Sequence, residues 1–114
     1  MDKKCEHELN YWQGRFKADN GNFGNTHYRK LMLAIAQESD DNFLKGKIVA
    51  DFGCGPRGSL AWTDSPSRRI GIDVLVPIYL DFFGECMLGH GMDYRKYAES
   101  LDLSAFPYYN TFPK

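Results

Sequence analysis

Little in this chain of 114 residues is extreme, and the absences narrow the field first. Cysteine is scarce, with Cys5, Cys54 and Cys86 scattered and odd in number. A small secreted scaffold would carry a denser, even set, so a reduced, cytoplasmic setting is expected. No run of about 18 apolar residues occurs, which excludes a membrane-spanning helix from expectation. The first ten residues, MDKKCEHELN, are charged but lead into no apolar stretch, so they do not read as a secretory signal. Charge of one sign is also missing: 14 Lys plus Arg stand against 15 Asp plus Glu, a net charge of -1. A basic footprint for a nucleic-acid backbone is therefore not evident. Metal-ligand spacing is lacking too. His7, His27 and His90 form no His-x-x-x-His pair and the cysteines no Cys-x-x-Cys, so no metal site is expected.

What is present is an ordinary globular composition, 43% hydrophobic and 25% charged. A chain of this size can bury one core with little stability to spare. Residues 6–17 are mixed and aromatic, consistent with a short helix. The Asn- and Gly-rich stretch at 18–26 reads as a loop, since both residue types tolerate positive φ. A second helix is predicted after Thr26, its expected cap, with Tyr28, Leu31, Met32, Ile35 and Ala36 recurring on one face.

The strand-like run from Ile48 to Phe52 ends directly in glycines, and Gly58 to Thr63 leaves room only for a brief helix. A second strand is predicted over Arg69 to Val74. A third helix follows, with Pro77 in its first turn and Leu75, Ile78, Tyr79, Phe82 and Cys86 on one face. A third strand is predicted at Met92 to Tyr97, and the aromatic, proline-bearing tail reads as loop. Helices alternating with strands predict an α/β fold, a Rossmann-like parallel sheet with flanking helices. Residues 1–26 would form an N-terminal helix and loop, and residues 27–114 the partial Rossmann-like domain.

The chemistry concentrates where the first strand runs into Gly53-Cys54-Gly55-Pro56-Arg57-Gly58. Glycines in this Gly-x-Gly-x-x-Gly pattern permit a tight turn and the close approach of a ligand. A helix starting there would offer free N–H groups to a polar or anionic group. Asp73 stands 20 positions after Gly53, at the end of the second strand, where a carboxylate can accept hydrogen bonds from both hydroxyls of an adenosine ribose. Together these predict a nucleoside-containing cofactor.

The same spacing also fits a nicotinamide dinucleotide. Asp51 argues otherwise, because a carboxylate two residues before the first glycine is a poor neighbour for a pyrophosphate and costly to bury uncompensated. A ligand carrying an ammonium and a sulfonium, and no phosphate, suits it better.

At this point a family resemblance appears. Asp51-Phe52-Gly53-Cys54-Gly55-Pro56 resembles the first motif of class I S-adenosylmethionine-dependent methyltransferases, and Gly71-Ile72-Asp73-Val74 resembles their acidic second-strand motif. Met92-Asp93-Tyr94 and Ala98-Glu99-Ser100-Leu101 are similar to the third strand and the adenine-side turn beyond it. The similarity spans about residues 27–106. It implies S-adenosyl-L-methionine as cofactor, with Gly53, Cys54 and Gly55 lining the methionine part and Asp51 ordering its amino group. Asp73 would hold the ribose, with Val74 against the adenine and Ala98 and Glu99 on the same side.

Family members build a larger sheet than the three strands seen here, so the chain reads as the cofactor-binding half of such an enzyme. The strands that follow would lie past Lys114, along with the region that faces the transferred methyl. The first strand would then be an exposed edge, and a second copy or a complementing chain is the expected cover. The implied activity is methyl transfer to a small molecule, with no general base identifiable. The alternatives are a non-catalytic cofactor- or partner-binding fragment and a nicotinamide-dependent oxidoreductase fragment.

Several residues also have plainer readings. The glycines can be a structural turn, Asp73 a turn acid, and Cys54 a small packing residue rather than a reactive thiol. Trp12, Phe16, Phe23 and Tyr28 can be core residues rather than a lid. Arg57 can reach a ligand carboxylate or face water.

Overall fold

The computed structural model describes residues 2–97. Its elements run α1 (Lys3–Ala18), α2 (His27–Ala36), a short 3-10 turn (Asn42–Leu44), β1 (Ile48–Phe52), β2 (Arg68–Ile72), α3 (Val76–Leu88) and β3 (Asp93–Arg95). The three strands form one parallel sheet in the order β1-β2-β3. This is the α/β, Rossmann-like arrangement expected, with a three-stranded sheet among the described residues. Among the described residues no helix is long and apolar enough to cross a membrane.

Helix α1 begins where Asp2 accepts a hydrogen bond from the Cys5 N–H at 2.8 Å. Glu6 in its first turn and Arg15 and Lys17 in its last suit the helix dipole. The following loop turns through Asn20 and Gly21, both at positive φ. Thr26 occupies the cap position of α2, but its side chain makes no capping bond, unlike the expectation. The predicted apolar face of α2 is also largely outward: Leu31 is 49% and Ile35 55% exposed, while Leu33 is the buried residue. Periodicity marked a stripe there without marking what covers it.

Alternation across the sheet sets two faces. On one face, Asp51, Gly71 and Tyr94 lie in register across the three strands. Here α1, the loop after it, Leu75 and α3 build the main core from Leu9, Phe23, Leu75, Tyr79, Phe83 and Met87, with Tyr94 packed against it. The N-terminal helix and its loop thus share one core with α3. Phe83 is the aromatic hub, its ring 4.9 Å from Phe16 and 5.2 Å from Phe23. Its backbone leaves helical geometry (φ -129, ψ 18), bending α3 just before Gly84. The inward residues, Val76, Tyr79, Phe83 and Met87, keep ordinary helical spacing, while Phe82, predicted inward, is 53% exposed. The opposite face of the sheet carries Ile70 and Ile72, with Ile48 and Ala50 packed against them.

Candidate functional site

The site grows from the junction of β1 with the glycine turn. β2 bonds the turn directly: Gly53 N–H and Cys54 N–H both donate to the Ile72 carbonyl, at 2.7 and 3.2 Å. Gly53, Gly55 and Gly58 all have positive φ, a region a Cβ makes costly. The turn does not open a helix. Between Phe52 and Arg68 the chain makes only turns and bends, with Ala61 N–H donating to the Gly58 carbonyl at 2.9 Å. The brief helix predicted over Gly58 to Thr63 is absent because Gly58 turns the chain inward and buries Ser59 and Leu60. A row of free N–H groups at a helix start is therefore absent from this turn.

Asp73 stands one residue beyond β2 and is partly exposed. Its carboxylate is a tie between elements: Oδ2 accepts from Gly55 N–H at 3.0 Å, and Oδ1 accepts from Leu75 N–H at 2.9 Å. Each oxygen keeps a second lone pair for a further donor. Val74, next to it, is 55% exposed.

Asp51 lies on the face of the sheet toward Tyr94 and is 8% exposed. The Ser59 hydroxyl donates to its Oδ2. Burial raises its pKa above the ordinary carboxylate value, the Ser59 bond works against that, and the nearby charge of Asp73 adds to it. Asp73 is thus near enough for its charge to act on Asp51. Both also push up the Cys54 thiol, whose pKa is raised chiefly by burial. A Cβ on Gly71 would come within 2.9 Å of Cys54 Sγ, so the side chain of Cys54 is a packing element between turn and sheet.

Around this junction the structure supplies partners that sequence patterns do not mark. A Cβ on Gly55 would meet the Trp12 ring at 3.3 Å, so α1 lies close over the turn. Trp12 also packs edge-on to Phe23, and the Arg57 guanidinium stacks 5.6 Å from its ring. Arg57 Nε is buried without a hydrogen-bond partner, and its carbonyl accepts from Asn25 Nδ2 at 3.2 Å. Phe23 is a core residue with the half-buried Trp12 and Phe16 packed against the same cluster, whereas Tyr28 pairs with the His27 ring. Gly58 lies against His90, whose ring would collide with any Cβ placed there.

The structure therefore brings Asp51, Gly53, Cys54, Gly55, Asp73 and Val74 to one end of the sheet. Ala98 and Glu99 lie outside the described residues. Ser59 and Trp12 gain their importance from contacts 8 and 43 positions away in sequence (Ser59 to Asp51, Gly55 to Trp12), which no local motif encodes. Compared with family models, curated proteins and solved structures, the chain matches none of them.

Proposed function

We propose that this chain binds S-adenosyl-L-methionine and serves as the cofactor-binding part of a methyltransferase acting on a small molecule. One observation carries the reading: two carboxylates, Asp51 and Asp73, stand at the same end of neighbouring parallel strands, on either side of a glycine turn. The residues fit such a ligand in a specific way. Asp73 is open enough to accept two hydroxyl donors with its remaining lone pairs while it holds the Gly55 amide. Asp51 is held near a thiol and a second carboxylate, with Ser59 as its hydrogen-bond donor. An ammonium group arriving beside it would favour its ionised form and supply a compensating positive charge. Val74 offers an exposed apolar surface to an adenine ring.

The absence of a helix after the turn weighs against a pyrophosphate ligand, which draws much of its binding from a helix N-terminus. The bound cofactor would supply an electrophilic methyl group on a positively charged sulfur. The contribution of this chain would be positioning, since in-line displacement depends on holding the reacting atoms in contact. The outer edge of β1 pairs with no strand among the described residues. It is the natural seat for a second copy or a complementing chain.

Titration calorimetry of the full chain with S-adenosylhomocysteine and, separately, with NAD tests the reading. Heat from the first and none from the second is the expected result. Binding of NAD alone, or of neither, would overturn it. A methyl-transfer assay then separates an enzyme from a binding module without turnover.

A further inference from the structure

Beside the glycine turn, against Gly58, α3, its following turn and β3 place a thiol, an imidazole and a phenol in a row. Cys86, His90 and Tyr94 are spaced four apart, and the structure lines up their polar atoms. Cys86 Sγ lies 3.6 Å from His90 Nε2, and His90 Nδ1 lies 2.7 Å from Tyr94 Oη. We propose that Cys86 is an activated thiol that exchanges with small disulfides, with His90 as its base and Tyr94 as the residue that orients His90.

Three features support this assignment beyond the spacing. A nucleophile within reach of a base, which is itself held by a third group, is the arrangement that activates weak nucleophiles. The His90 ring is also fixed mechanically. It is buried and lies against Gly58, where no side chain intervenes, so its Nε2 stays directed at the thiol. Burial lowers its pKa and favours the neutral imidazole, the form that can take a proton.

The other cysteines lack this setting. Cys54 is buried against Gly71, and the Cys5 thiol is held in its protonated form by a hydrogen bond to Asp2, which raises its pKa. Cys86 is partly exposed, and in the resting state its thiol also donates to Asn22 Oδ1 at 3.4 Å, an oxygen that accepts from the Phe23 N–H as well.

The step balances without a further oxidant. His90 Nε2 accepts the thiol proton as Cys86 Sγ attacks one sulfur of a small disulfide. The bond between the two small-molecule sulfurs breaks and a mixed disulfide forms on Cys86. The departing thiolate takes the proton back from His90 and leaves as a free thiol.

The probe is 5,5′-dithiobis(2-nitrobenzoate) added to the reduced full chain at neutral pH, with the modification rate of each cysteine read by peptide mass spectrometry. Cys86 should react roughly tenfold or more faster than Cys5, as expected for a thiol with a positioned base. His90→Gln should bring the Cys86 rate down to that of Cys5 while leaving Cys5 unchanged. Tyr94→Phe, which keeps the ring and removes only the hydroxyl, should lower the Cys86 rate several-fold in a folded protein and serves if His90→Gln does not fold. A Cys86 rate no greater than that of Cys5, or one indifferent to both substitutions, would overturn the proposal.

Discussion

The backbone N–H of Gly55 donates to Asp73 Oδ2 at 3.0 Å, so the glycine turn after β1 is tied to the residue that follows β2. This one bond couples the two halves of the proposed cradle: the acid assigned to the ribose also shapes the loop assigned to the methionine. Asp73→Asn keeps the size of the side chain and removes its charge. Calorimetry should show S-adenosylhomocysteine binding weakened by about tenfold to a hundredfold, the range expected for hydrogen bonds to a charged group. Urea unfolding should show a loss of about 1 kcal/mol from the weakened ties to Gly55 and Leu75. Undiminished affinity would remove Asp73 from the site.

Gly58 combines a φ of +74 with the His90 ring against its Cα. Gly58→Ala adds a left-handed backbone penalty to a collision with a buried ring. A loss of about 2–4 kcal/mol in urea unfolding is expected. Gly21, at a φ of +79 with open space within 4 Å of where a Cβ would stand, is the control. Gly21→Ala should cost only the backbone part, about 1–2 kcal/mol.

Asp51 places function against stability. Its folded-state pKa is raised above the unfolded value, mainly by burial. Its favourable contribution is therefore complete below the unfolded value and is lost as pH rises through the folded one. At neutral pH the ionised form is a cost, and Asp51→Asn should raise stability by about 1 kcal/mol and flatten that part of the pH profile. The same variant should bind S-adenosylhomocysteine more weakly. A variant that is destabilised at neutral pH would show that ionised Asp51 is better compensated than Ser59 and its surroundings indicate.

His90 has the opposite dependence at its own pH range. Burial lowers its folded-state pKa, so the unfolded chain takes up the proton first as pH falls. Stability should decline as pH drops below about 6.5, the ordinary histidine value. His90→Gln should reduce this slope, as read from urea midpoints between neutral and mildly acidic pH. An unchanged slope would place the acid sensitivity elsewhere.

Phe52, at the end of β1, is 37% exposed at a sheet edge that has no strand beyond it among the described residues. If a second copy covers that edge, light scattering should show a mass above the monomer that rises with concentration. Phe52→Lys, which puts a charge on the edge, should return it to monomer. A wild-type monomer at every concentration would leave the edge to a different chain.

The parts of this protein legible in its sequence are those written in short-range chemistry. A β-rich run followed at once by glycines marks β1 and its turn. The Asn and Gly of residues 18–26 mark a loop, and helix-strand alternation marks a parallel sheet, because each signal acts on its own few residues. Asp51 and Asp73 could be singled out for the same reason, each having a fixed offset from Gly53.

Long-range packing decided the rest. The inward face of α3 turned on Phe83 rather than Phe82, because Phe83 meets Phe16 and Phe23 from segments far away in the chain. The helix expected after Gly58 gave way to a turn that buries Ser59 beside Asp51. The row from Cys86 to Tyr94 became visible only when α3 and β3 were brought together around His90. Local propensity is worth fractions of a kcal/mol per residue, and burial of a large side chain is worth several times more, so contacts between distant segments prevail where the two disagree.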